Sequence, residues 1–186
     1  MDFLISLDTN LFLAINHLPH TAVLNMIARG FSGIGHWGLI WIVVAILLFY
    51  REEIRDHLFF IPFIAVGAVG MISEFMIKWI IARPRPYVEM GAIILDTPGN
   101  YSFPSTHATL AFAFAYVCSH IEPTLRVWMY VLALCISFSR VYLGAHYVFD
   151  VIGGALLGTY IGNCVIALEH LWSKRSANVK HKRSHK

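Results

Sequence analysis

Charge is what this sequence has least of. Only 13% of its 186 residues are Asp, Glu, Lys or Arg, against 58% hydrophobic, whereas a soluble domain carries roughly a quarter charged residues. A water-facing surface cannot be built from so few ionic groups, which excludes a disordered chain, a nucleic-acid binder and most soluble enzymes. Cysteine is scarce too. Cys118, Cys135 and Cys164 each sit in an apolar run without CxxC spacing, so neither a disulfide framework nor a thiolate metal site is supported, and they read as small packing residues. No basic residue precedes the first apolar stretch, and Asp8 and Asn10 interrupt it, which argues against a cleaved signal peptide.

Apolar runs are abundant. A spanning helix needs about 20 mostly apolar residues, and four or five stretches qualify: 36–50 (by itself or extended backwards towards Thr21), 57–82, 104–121, 124–143 and 146–172. Stretch 2–18 is apolar on one side and either lies at the interface or adds a sixth span. The expected fold is therefore an all-α, polytopic transmembrane bundle of five or six spans. No repeat, linker or second domain is visible. Residues 1–172 read as one membrane domain and 173–186 as a basic tail.

The basic residues assign the sides. Six of the 14 Lys and Arg residues fall in 173–186, and Arg51, Arg55 and Arg126 end on the same side as that tail. The positive-inside bias makes this side cytoplasmic, in a multi-pass protein of the cytoplasmic (inner) membrane, and puts segments 83–103 and 143–146 outside. Trp37, Tyr50, Trp128 and Trp172 fit interfacial belts. Gly154, Gly158 and Gly162 form a small-residue stripe suited to close helix packing within the chain, with dimerisation as the alternative.

Ionisable groups at membrane depth call for a partner or a function. Glu74 and Lys78 are four apart and can pair on one helix face. Arg85 follows seven residues after Lys78, and Pro86 helps to end the helix and hold the chain extended. Pro104, Ser105, Thr106 and His107 open the next span. The free N–H groups of that helix start offer either a plain N-cap or an anion seat. Ser139 and Arg140 are followed by His146 and then Asp150, four apart. Asp150 can hold one imidazole nitrogen and leave the other free to attack, although a packed polar pair or a metal site would use the same spacing. The topology puts all three clusters at outward helix ends. Three cations (Lys78, Arg85, Arg140), two histidines and one carboxylate suit phosphate, with cations in place of a carboxylate-bound metal.

At these residues the sequence resembles the type 2 phosphatidic acid phosphatase superfamily. The resemblance is carried by Lys78, Arg85 and Pro86; by Pro104, Ser105 and His107; and by Ser139, Arg140, His146 and Asp150. It spans about 78–150 and departs only at Thr106, where the second motif often has Gly. It implies that His146 is the nucleophile and forms a phosphohistidine, that Asp150 orients it, and that His107 protonates the leaving oxygen. Lys78, Arg85, Ser105 and Arg140 would bind phosphoryl oxygens, and the Thr106 hydroxyl would add a headgroup contact. Glu74, Pro86, Pro104 and Ser139 would shape the site, with neither metal nor other cofactor.

The partner implied is a membrane lipid phosphate meeting the pocket from the bilayer. Undecaprenyl diphosphate is the expected substrate; phosphatidate, phosphatidylglycerol phosphate and lipid A phosphates compete, because the motifs read phosphate and not the tail. Segment 87–103, with Glu89, Asp96, Pro98 and Gly99, is expected to be a lid, a headgroup wall or an ordinary loop. An anion transporter is the alternative of another class. It would spread ionisable groups across the membrane thickness, whereas here they cluster at one end.

Overall fold

The computed structural model describes residues 2–35, 39–51, 61–87, 90–96 and 99–184. Among them there are seven α-helices and no strand: α1 (Asp2–Asn16), α2 (Ala22–Ile34), α3 (Leu39–Arg51), α4 (Ile61–Ile81), α5 (Thr106–Ile121), α6 (Arg126–Tyr142) and α7 (Val148–Ser184). The all-α architecture read from the apolar runs is what forms. Helices α4 and α7 (over Val148–Trp172), and α6 together with the 3₁₀ turn before it (Pro123–Tyr142), are long and apolar enough to cross a membrane. One boundary that the sequence leaves open is decided. Stretch 36–50 does not run back to Thr21 as one helix: Thr21 caps α2 by accepting from Leu24 N at 3.2 Å, and Gly35 closes it. Two glycines in its last turn, Gly33 and Gly35, favour that stop.

Helix α5 is apolar all round and lies at the centre, packed against α4, α6 and most extensively α7. Trp41, Phe63, Val66, Phe114, Val117, Ile136 and Ile161 complete the core around it. The stripe Gly154, Gly158, Gly162 makes the α5 contact possible. A Cβ on Gly158 would lie 2.1 Å from Thr109 O, and one on Gly162 would lie 2.9 Å from Ala113 O. The small-residue stripe therefore serves packing within the chain.

The distribution of polarity is that of a protein solvated by lipid. Ile64, Ile72, Phe75 and Ile80 of α4 face outward, while Asp8, Asn16, Glu74, Lys78, Arg140, His146 and Asp150 are buried. Of the belt aromatics, Tyr50, Trp128 and Trp172 are exposed; Trp37 lies outside the described residues. All three cysteines are free, with Cys118 buried. Helix α7 continues past Trp172 to Ser184, so the basic tail follows the helical path in its backbone; its side chains lie outside the described residues.

Segment 87–103 is tied down along its described parts. Asn16 accepts from Ile93 N at 2.7 Å and donates to Ile93 O and Tyr142 O. Leu95 N donates to Leu143 O, Ser102 N donates to Arg83 O, and a ring nitrogen of His17 meets Gly91 O. The segment is thus a wall beside the helix ends; Glu89 and Pro98 lie outside the described residues.

Candidate active site

Four chain segments deliver the polar side chains to one end of the bundle. Helix α4 ends with Glu74 and Lys78 on one face, 2.9 Å apart, as their spacing predicts. The chain then leaves through Ala82 at φ 47, and Pro84 and Pro86 keep it extended, so Arg83 and Arg85 reach different groups. Pro104 and Ser105 lead into α5, whose first turn carries Thr106 and His107. Arg140 closes α6; the turn after it needs Gly144, at φ +80, because a Cβ there would lie 2.4 Å from Ile93 O. His146 follows in that turn, and Asp150 lies in the first turn of α7.

His146 and Asp150 face each other as i and i+4, with Nδ1 3.6 Å from Oδ2. On the other side of the ring, Nε2 lies 3.1 Å from Arg85 Nη1. A guanidinium can only donate, so Nε2 is the acceptor and the ring proton sits on Nδ1, towards Asp150. Burial pushes the His146 pKa down to about 3; Asp150 opposes this and Arg85 adds to it. The imidazole is therefore neutral at pH 7, with its lone pair towards the cations. Asp150 is held from behind. Its Oδ2 accepts from Tyr147 N at 2.9 Å and from the Ser102 hydroxyl, and its Oδ1 accepts from Arg83 Nη1 at 2.7 Å.

The cations differ in how they are engaged. Arg85 donates to Asn100 O and Oδ1, Tyr101 O and Ala145 O as well as meeting His146. Burial, then the Arg140 guanidinium, lowers its pKa to about 10, still fully charged at pH 7. Arg140 Nη1 donates to Asp96 at 2.6 Å and to the Ser32 hydroxyl. Lys78 directs Nζ to Glu74, Tyr101 O and Pro104 O, behind the pocket wall. Thr106 donates to Glu74 at 2.8 Å, which is where the hydroxyl singled out for the headgroup goes. Ser139 donates to Ile136 O inside α6.

These groups surround a cavity of about 650 Å³ lined by Glu74, Arg85, Asp96, Asn100, Thr106, His107, Arg140 and His146, with Arg29 and Ser32 from α2. A His107 ring nitrogen lies 3.2 Å from Ser32 O. Five buried side-chain polar atoms lack a hydrogen-bond partner among the described residues, and three belong to Ser105 (Oγ), Arg140 (Nε) and His146 (Nδ1). Buried polar atoms are otherwise almost always paired; His146 Nδ1 faces Asp150, while Arg140, which lines the cavity, has its Nε donor left over for a polar ligand. Among the described residues no three His, Cys, Asp or Glu side chains are placed to hold a metal ion.

The sequence model of the PAP2 superfamily matches residues 58–174, a range that contains every motif residue above. The chain belongs to the PAP2 superfamily. It is 30% identical over 171 residues to the undecaprenyl-diphosphatase of Sulfolobus acidocaldarius, a match covering 89% of this chain and 80% of that one. It is 27% identical over 177 residues to the lipid A 4'-phosphatase of Porphyromonas gingivalis, covering 89% and 74%. In fold it is similar to the transmembrane PAP2 type phosphatidylglycerolphosphate phosphatase from Bacillus subtilis, with a TM-score of 0.74 at 23% identity over 91% of this chain and 88% of that one. This PAP2 chain is therefore a membrane phosphatase, a hydrolase of phosphoester or phosphoanhydride bonds.

Four contributors to the PAP2 pocket carry no signal in the sequence. Arg83 bridges Asp150 and Asp8, donating to each at 2.7 Å, and stacks its guanidinium 4.1 Å from the centre of the Tyr147 ring. Burial opposes its charge, but Asp150 and Asp8 together hold its pKa above the ordinary value. Asp8, 1% exposed, also accepts from Phe149 N at 2.8 Å. Ser102 supports Asp150, and Ser32 supports both Arg140 and His107. Arg83 was visible only as one more arginine in Ala-Arg-Pro-Arg-Pro; Asp8, Ser32 and Ser102 stand alone in unremarkable contexts.

Proposed function

We propose that this PAP2 phosphatase removes the terminal phosphoryl group of a polyprenyl diphosphate, undecaprenyl diphosphate first among them, through a phosphohistidine at His146. In this reading Nε2 of His146 attacks the terminal phosphorus and the bond to the bridging oxygen breaks. His107 protonates that oxygen, and Arg85, Arg140 and Ser105 hold the phosphoryl oxygens. Lys78 adds its charge from behind the wall. His107 then takes a proton from the water that releases phosphate. No metal or other cofactor takes part.

The observation that carries the reading is the neutral His146 ring, with Nε2 3.1 Å from Arg85 and Nδ1 facing Asp150 on a cavity that Arg140 and His107 also line. An undecaprenyl-diphosphatase at 30% identity favours the diphosphate; the lipid A 4'-phosphatase keeps a monophosphate lipid as the second reading. Residues 1–172 act as one membrane domain with the pocket on the outer face, and 173–186 as a basic cytoplasmic tail.

Purified protein tested on undecaprenyl diphosphate, lipid A, phosphatidate and phosphatidylglycerol phosphate decides the substrate. His146→Ala is expected to lower phosphate release by at least about 10³-fold while the protein still elutes as a folded particle. Turnover near wild type in that variant would remove the nucleophile. Release that requires added divalent ion would contradict the metal-independent chemistry.

A further inference from the structure

Arg29 is the one cavity-lining cation that the chemistry above does not use. It lies in α2, an apolar helix whose neighbouring side chains Val23, Leu24, Met26 and Ile27 are exposed. Every other cation on the cavity is engaged, Arg85 with Asn100 and Ala145 and Arg140 with Asp96. Among the described residues Arg29 has no ion-pair or hydrogen-bond partner, yet it lines the cavity with Ser32, Gly33 and His107. Arg29 is itself exposed while lining the cavity, so its guanidinium is free to meet a charged group that enters there.

Its position says which ligand. Ser32 lies one helical turn beyond Arg29 on the same face, and its carbonyl oxygen is 3.2 Å from His107. His107 is the group assigned to the leaving oxygen. Arg29 therefore lines the same cavity about one turn, roughly 5 Å, along α2 from the carbonyl that His107 meets. A monoester substrate has only carbon there. A diphosphate has its second phosphoryl group there.

We infer that Arg29 is the subsite for the phosphoryl group that stays on the lipid, and that it selects diphosphates over monophosphates. The inference rests on the proposed function and assigns a residue to its choice of a diphosphate. As the Nε2–phosphorus bond forms and the phosphorus–oxygen bond breaks, the electron pair goes to the bridging oxygen. The departing group is then a lipid monophosphate whose growing charge faces Arg29, while His107 supplies the proton.

The test uses the full-length protein in detergent with a polyprenyl diphosphate and the monophosphate of the same chain length. Arg29→Gln is expected to lower the diphosphate to monophosphate ratio of kcat/KM by about 10- to 100-fold, the loss of one charge-assisted contact, and Arg29→Lys to restore part of it. An unchanged ratio, including equal loss on both substrates, overturns the subsite. Inhibition of the wild type by inorganic pyrophosphate gives a second measure that needs no variant. Pyrophosphate should inhibit about tenfold more tightly than phosphate, and equal inhibition counts against the subsite. His146→Ala in the same assay separates the two claims: its activity bears on the nucleophile, and the Arg29 ratio bears on the subsite.

Discussion

Residues 58–174 and residues 1–57 meet at the same pocket and supply it in different ways. The first region holds all ten motif residues and fixes α5 against α7 by close backbone approach along the glycine stripe, where Gly158 faces Thr109 O and Gly162 faces Ala113 O. The second contributes a few single side chains: Arg29 and Ser32 of α2 line the pocket, and Asp8 of α1 acts from behind it through Arg83 and Phe149 N. Helix α2 has room where α7 has none. A Cβ on Gly30 meets nothing within 4 Å, whereas one on Gly158 meets a carbonyl oxygen at 2.1 Å. The matched region is built for fixed geometry, and the region ahead of it holds Arg140 and Arg83 in place through Ser32 and Asp8.

The sharpest way to break this contrast is to add volume to each region. Gly158→Leu is expected to abolish folding and activity together, because the intruding atoms meet Thr109 and Ala113 backbone and cannot turn aside. Gly30→Ala should leave activity unchanged and raise stability by up to about 1 kcal/mol, the ordinary helix-propensity gain. Elution profiles and thermal midpoints in detergent check both. A folded, active Gly158→Leu protein would mean that α5 and α7 are not in backbone contact.

A smaller effect is expected at the joint between the regions. Arg83→Met removes the cation shared by Asp8 and Asp150, both essentially fully buried. Asp150 then loses a charged donor and holds the His146 ring less well. The expected result is a fall in kcat of about 10²-fold with KM within about twofold, and partial rescue by Arg83→Lys. A change confined to KM would make Arg83 a substrate contact instead.

The uneven legibility of the molecule follows from the same contrast. Length and polarity of the apolar runs gave the helices of 58–174, and the fixed spacing of His146 and Asp150 gave their pairing on one face, because both are local properties of one helix or turn. Asp8 lies 75 residues from Arg83 and 142 from Asp150 along the chain, so only the folded packing of α1 against α7 makes them partners. Asp8 reads in the sequence as an interruption of an apolar run; in the fold it is the reason that run is tied to the site. The position of Thr106 shows the converse. The resemblance offered its hydroxyl to the headgroup, and in the fold that hydroxyl donates to Glu74, one turn ahead of Lys78 on α4.

Asp8→Asn tests how much of that tie is charge and gives the smallest of the expected losses of activity. Asp8 makes two bonds, accepting from Phe149 N through Oδ1 and from Arg83 through Oδ2. Asparagine keeps the first with its carbonyl oxygen but presents an amide NH₂ to the guanidinium, so only the ionic contact is lost. Arg83 still has Asp150 and the face of Tyr147. The expected fall in kcat is therefore a few-fold, well short of that for Arg83→Met, since the cation next to Asp150 stays in place. Asp8→Ala also frees the Phe149 N–H at the start of α7 and should cost more than Asn in both kcat and thermal midpoint. Equal effects of Asn and Ala would mean that the bond to α7 contributes nothing and that α1 serves the pocket through Arg83 alone.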